Sequence, residues 1–131
     1  MSTDKPTPHF DTVNLHSDRS DKPEHGALHK PIHTSIAFEY ADARDLAAVF
    51  QGKQFGYNYG RQQNPTVNAL QNRITRMEGG VASVAFATGM AAIGSILFSL
   101  LKQGDHVIAS AFLFGNTNSL FNTFRNLGIE V

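Results

Sequence analysis

Tyr59 and Arg61 stand two residues apart in the run Tyr59-Gly60-Arg61-Gln62-Gln63-Asn64-Pro65-Thr66. On an extended stretch, residues two apart point the same way. A phenol and a guanidinium side by side can clamp a phosphate through charge-assisted hydrogen bonds. Taken alone, the pair reads more simply as a surface arginine beside a packed tyrosine. A second group follows at Ala87-Thr88-Gly89-Met90-Ala91-Ala92. A strand that turns through Thr88-Gly89 into a helix leaves N–H groups without intrahelical partners, and the helix dipole favours an anion in front of them. Gly89 allows close approach of a phosphate; it equally suits a tight turn with no ligand. A third candidate is Phe114, just past a strand's carboxyl end, where ligands sit in open α/β sheets. Its ring could stack on a flat cofactor or pack in the core. There is no Gly-Lys-Ser/Thr loop and no Gly-x-Gly-x-x-Gly, so a nucleotide is not favoured. The first two groups together point to a phosphorylated cofactor.

The elements that must position these residues can be read from local signals. Residues 1 to about 42 lack a sustained hydrophobic period and carry five of the six histidines, which reads as an arm. Within it Ile32, Ile36, Phe38 and Tyr40 suit a short strand or an extended segment lying on another surface. Asp42 can cap a helix running to Phe50, with Asp45 in its first turn and Gly52 beyond its end. Asn64 and Pro65 are a strong start for a helix to Glu78, and Val67, Leu70, Ile74 and Met77 form its apolar stripe. Val81 to Ala87 reads as a strand buried on both faces. Gly89 to Leu101 is apolar nearly all round and reads as a buried helix. His106 to Ala111 reads as a second buried strand after a turn at Gly104-Asp105. A helix opening at Asn116 or Thr117 places Leu120, Phe121, Phe124 and Leu127 on one side and closes at Gly128. Ile129 to Val131 begins another strand. Strand, helix, strand, helix, strand is the order of a parallel α/β sheet. The expected organisation is an arm over residues 1–42 and, over 43–131, the opening part of a larger α/β domain.

With 131 residues, 11 Lys+Arg and 11 Asp+Glu, the chain has zero formal net charge. That disfavours nucleic-acid and anionic-membrane partners, which call for a cationic excess. There is no cysteine, so a reducing cytoplasmic setting is expected. The N-terminus has no apolar core of a signal peptide, and the apolar run Met90 to Leu101 falls short of the ~20 residues that span a bilayer. His25, His29 and His33 are spaced by four, but Gly26 and Pro31 oppose a continuous helix and no carboxylate or cysteine cluster completes a metal site. Serine-triad, glycosidase and zinc-hydrolase patterns are missing.

From about His16 to Val131 the chain resembles the N-terminal part of the pyridoxal-phosphate enzymes of cysteine and methionine metabolism. The resemblance rests on Lys30-Pro31-Ile32-His33-Thr34-Ser35, Tyr59-Gly60-Arg61 with Asn64-Pro65-Thr66, and Met77-Glu78-Gly79-Gly80. It continues through Ala87-Thr88-Gly89-Met90-Ala91-Ala92-Ile93, Gly104-Asp105-His106 and Phe114-Gly115-Asn116-Thr117, in the family's order and spacing. It implies an aspartate-aminotransferase-like large domain, incomplete here, and pyridoxal 5'-phosphate as cofactor. By the same resemblance, Gly89 and Met90 offer backbone N–H groups to the phosphate, and Phe114 stacks on the pyridine ring. Tyr59 and Arg61 reach the cofactor phosphate of a neighbouring subunit. A homodimer is then the smallest working unit, and a homotetramer of two dimers the usual assembly.

The implied activity is γ-replacement on an O-acylhomoserine, of the sulfhydrylase or cystathionine γ-synthase type. The alternatives are γ-elimination of the methionine or cystathionine γ-lyase type, or a non-catalytic module that associates with a full-length homologue. The lysine that holds the cofactor, the aspartate on its pyridine nitrogen and the arginine for the substrate carboxylate have no matching positions in residues 1–131. Residues 1–131 alone are therefore expected to be inactive. Three positions depart from the family pattern: Gly60 replaces Ser or Thr, Thr88 stands where Ser is common, and Phe114 replaces a tyrosine. Without that hydroxyl a lyase-like mechanism is disfavoured, and the resemblance leans toward the O-succinylhomoserine sulfhydrylases.

Overall fold

The computed structural model describes residues 8–17 and 24–131. They form two compact units, one reaching to Val84 and the other spanning Ala85–Val131. The opening residues considered for a targeting segment lie mostly outside the described ones.

In the first unit, helix α1 spans Phe10–His16, where the sequence suggested only an arm. Seven residues are too few for a visible period, and no side chain caps its start. Tertiary contact holds it instead: it packs on α3, whose Arg76 guanidinium donates to the Ser17 carbonyl at 2.8 Å. A 3-10 turn follows at Glu24–Gly26. Helix α2 spans Ala43–Phe50 with Asp42 as N-cap, its carboxylate accepting from the Arg44 N–H at 2.7 Å. Gly52, at φ +67°, ends it. Helix α3 spans Pro65–Met77. Asn64 caps it with Oδ1, 2.8 Å from the Thr66 N–H, and Gly79 follows at φ +60°. These starts and stops lie where the local signals put them.

The second unit holds α4, Gly89–Leu100, and α5, Gly115–Asn126. Helix α5 begins before Asn116, because Phe114 takes the N-cap position with no side-chain cap. Phe124 is 1 % exposed, its ring 4.7 Å from that of Phe98, and with Phe121 and Ile129 it forms this unit's core. Gly128, at φ +78°, turns the chain into Ile129.

The expected strands are corrected. Among the described residues no ladder forms; there is one parallel bridge, His106 with Glu130, and one antiparallel bridge, Ala37 with Tyr59. The parallel bridge carries Val107 N–H to the Glu130 carbonyl at 2.8 Å and Glu130 N–H to the Asp105 carbonyl at 3.0 Å. Residues 81–87, expected as a strand buried on both faces, form no strand, with Val81, Val84 and Phe86 exposed. Ile108 is exposed likewise, and α4 forms as a helix but buries no side chain. The reason is physical. A strand's N–H and C=O groups are satisfied only by lateral neighbours, and helices bury their stripes only against a sheet that exists. Among the described residues no helix is long and apolar enough to cross a membrane.

Candidate functional site

The segment Tyr57–Thr66 is held by an extended strap, His33–Tyr40, of the same unit. The Phe38 N–H donates to the Asn58 carbonyl at 3.2 Å, and the Gly60 N–H donates to the Ile36 carbonyl at 2.6 Å. The Tyr40 hydroxyl donates to the Tyr57 carbonyl at 3.0 Å, and the Phe38 and Tyr57 rings lie 5.6 Å apart. At the other end the His33 N–H donates to Thr66 Oγ1 at 2.8 Å, while Asn64 Nδ2 donates to the His33 carbonyl at 3.1 Å. The strap is thus the extended segment on another surface that the alternation of Ile36, Phe38 and Tyr40 suggested. Buried Asn58, whose Oδ1 accepts the Tyr59 N–H at 2.6 Å, had no signal in the sequence. The strap residue that bonds its carbonyl, Phe38, lies far from it along the chain.

Between these anchors sit Tyr59 and Arg61. The extended backbone ends at Tyr59 rather than continuing through Arg61, because the Gln62 and Gln63 N–H groups both turn back to the Tyr59 carbonyl. The guanidinium nevertheless lies over the Tyr59 ring, 5.4 Å from its centroid. A cation over a phenol face is attracted by the ring quadrupole. The pair therefore presents five N–H donors and one hydroxyl in a single patch.

The second group lies in the other unit. Thr88 is extended, at φ −143° and ψ 153°, and caps α4 by accepting the Ala91 N–H on its hydroxyl at 3.1 Å. That takes up the third amide of the helix. Those of Gly89 and Met90, at the first two positions, have no acceptor within the helix. Gly89 does not have positive φ, and a Cβ built there would meet nothing within 4 Å. The backbone turn therefore does not demand glycine. Two amides without acceptors in the helix, at its positive end and beside a glycine with room for a Cβ, suit an oxyanion such as a phosphate group.

Met90 and Thr117 join the first turns of α4 and α5, the Thr117 hydroxyl lying 3.8 Å from the Met90 sulfur. Phe114, at the N-cap of α5, is 74 % exposed. Among the described residues its ring is no part of a core. Gly89, Met90 and Phe114 thus belong to two helix starts of one unit, while Tyr59 and Arg61 form a group in the other. Among the described residues no cluster of three or more His, Cys, Asp or Glu is arranged to hold a metal. His33, one of the three evenly spaced histidines, faces the Pro31 carbonyl at 3.0 Å and Glu24 Oε1 at 3.2 Å.

The profile of the Cys/Met metabolism PLP-dependent enzymes matches residues 11–131. An O-acetyl-L-homoserine sulfhydrylase of Corynebacterium glutamicum is 40% identical over 123 residues, which are 93% of this chain and 28% of that protein. An O-succinylhomoserine sulfhydrylase of Pseudomonas aeruginosa is 39% identical over 123 residues, 93% of this chain and 30% of the relative. Among solved structures, one assigned as an O-acetylhomoserine (thiol)-lyase of Campylobacter jejuni superposes with a TM-score of 0.85 at 31% identity. It covers 95% of this chain and 31% of its own, and it carries N'-pyridoxyl-lysine-5'-monophosphate. The chain thus spans less than a third of the length of the proteins it matches.

Proposed function

Because the chain belongs to the Cys/Met metabolism PLP-dependent enzyme family, we propose that it is the N-terminal part of an enzyme that replaces the γ-substituent of an O-acylhomoserine with a sulfur nucleophile. Its fold is the opening part of the aspartate-aminotransferase-like fold of that family. Within the proposal, residues 43–131 begin the cofactor-binding domain and residues 1–42 are an arm that lies outside it. When bound, pyridoxal 5'-phosphate supplies the electron sink that lets protons leave Cα and Cβ and the γ-substituent depart.

The chain's own residues bind and orient. The Gly89 and Met90 N–H groups donate to the phosphate at the start of α4, where the helix dipole adds to their pull. Arg61 adds a forked, permanently charged donor set, and Tyr59 adds a hydroxyl. The Phe114 ring covers a face of the pyridine ring by stacking alone. Because Phe114 has no hydroxyl, no proton moves at that atom. A departing acyl carboxylate needs none, since a carboxyl group has a pKa of about 4, whereas a thiolate from a group of pKa about 8.5 leaves far less readily unprotonated. Phe114 therefore favours replacement at an acylated homoserine over elimination from methionine.

The observation that carries the cofactor reading is the start of α4, two amides without acceptors in the helix beside a glycine that its own chain does not require. The resemblance adds that Tyr59 and Arg61 serve a neighbouring subunit. A homodimer, paired into a tetramer, in the cytosol belongs to the same proposal. The test is an assay of the full-length protein with O-acetyl- and O-succinylhomoserine against sulfide, reading homocysteine. Homocysteine from either ester is expected. Release of 2-oxobutyrate from methionine as the dominant reaction would overturn the assignment.

A further inference from the structure

We propose that the cleft between α1 and the last turn of α3 binds a free α-amino acid with a short apolar side chain, at a site that shares no residue with the Tyr59–Arg61 clamp. The cleft has a volume of about 350 Å³, within the roughly 300–1,000 Å³ of small-molecule sites. Pro8 and Val13 give it an apolar wall, and His16, Ser17 and Arg76 bring its polar groups.

Ser17 singles the cleft out. It is 4 % exposed, yet among the described residues its Oγ has no hydrogen-bond partner. Buried hydroxyls are paired as a rule, and one left over calls for a partner. A serine at a helix end often turns its hydroxyl back on the preceding turn. Here the Ser17 N–H donates to the Val13 carbonyl, and the hydroxyl is left without an acceptor. Beside it, Arg76 Nη1 donates to the Ser17 carbonyl at 2.8 Å. A guanidinium carries five N–H donors, so this bond holds the cation at the cleft and leaves donors for a second acceptor. Among the described residues no carboxylate lines the cleft to neutralise it. A ligand carboxylate suits the guanidinium and the hydroxyl together, through charge-assisted bonds.

The opposite charge is met at the same place. Helix α1 ends at His16, and both His16 and Ser17 line the cleft. The last carbonyls of a helix lack partners within it and carry partial negative charge, which favours a cation such as an ammonium. A phosphate would meet the guanidinium but be opposed by that helix end. A carboxylate and an ammonium on one carbon, with an apolar chain against Val13 and Pro8, describe an α-amino acid.

The test uses the full-length holoenzyme with its cofactor–lysine Schiff base reduced by borohydride, so that no amino acid can bind covalently at the catalytic centre. L-Norleucine, hexanoate and hexylamine are titrated by calorimetry into the unaltered protein, Arg76→Met and Ser17→Ala. The first variant keeps an apolar stem and removes the charge; the second removes only the hydroxyl. L-Norleucine is expected to bind and to slow hydrogen exchange at the Ser17 amide. Its affinity should fall about tenfold or more in Arg76→Met and roughly three- to tenfold in Ser17→Ala. Hexanoate and hexylamine, each lacking one of the two charges, should bind at least about tenfold more weakly than L-norleucine. If Arg76→Met does not fold, Ser17→Ala decides alone. Absence of L-norleucine binding overturns the proposal, and so does hexanoate binding as tightly as L-norleucine. Binding that persists unchanged in the folded variants, with no slowing at Ser17, places the amino acid at the catalytic centre and overturns it as well.

Discussion

Before any anion arrives, the Arg61 guanidinium already rests over the Tyr59 ring. An exposed cation–π contact of this kind contributes about 0.5–1 kcal/mol, enough to bias the arginine toward one orientation. Tyr59→Phe should therefore weaken pyridoxal-phosphate binding less than Tyr59→Ala, since the first keeps the platform and loses only the hydroxyl. Arg61→Ala should cost roughly ten- to a hundredfold in affinity, the worth of hydrogen bonds to a charged group. The cofactor titration reads all three. Asp42 is a residue-scale switch of another kind. The Arg44 guanidinium, then the Arg44 N–H, hold its carboxyl below the ordinary carboxylate value. A depressed folded-state pKa stabilises above the unfolded value and is lost as pH falls through the folded one. The α2 cap should thus persist at neutral pH and fail in acid. Arg44→Ala should raise the Asp42 pKa in an NMR titration; no change would refute the pairing. At this scale the spacing of Tyr59 and Arg61 was legible in the sequence. The close approach of Gly60 to the backbone of Ser35 and Ile36 was not, because those residues lie far along the chain.

At the scale of elements, what could be read was what is local. Asp42, Asn64 with Pro65, and Thr88 each cap the helix that follows through contacts within three residues. Gly52, Gly79 and Gly128 each take the positive φ that ends a helix. Strands were not legible in the same way: apolar, β-prone residues specify a preference, and pairing needs a neighbour. Helix α1 escaped notice for the converse reason, since α3 supplies what its seven residues lack. Asn64 carries two tasks, capping α3 and holding the His33 carbonyl. Asn64→Ala should cost about 1–2 kcal/mol, visible as a lower urea midpoint, and should also loosen cofactor binding by freeing the strap. Phe124, the most buried side chain of the second unit, is the counterpart in packing. Phe124→Ala should cost about 3–5 kcal/mol, read in the same melt.

At the scale of the whole molecule, Val81, Ile108, Phe112 and Leu100 are largely exposed. Apolar surface of that extent calls for cover. Residues 1–131 expressed alone should bind a hydrophobic dye, self-associate and show no sulfhydrylase activity; turnover by this piece would refute the division of labour proposed for it. Full-length Arg61→Ala chains mixed with chains lacking the cofactor lysine should regain part of the activity if the arginine serves the adjacent subunit. No recovery after verified mixing would place it in its own. The strap has a consequence for the order of events as well. Its hydrogen bonds to the Tyr57–Thr66 segment join residues only 17 to 33 apart, and loops that short close at little entropic cost. Once the chain through α3 is clear of the ribosome, the cradle around the guanidinium can set itself, cotranslationally and without help from later segments. Each chain would then have the arginine it lends to its neighbour in place before the α4 that receives its own phosphate has been synthesised.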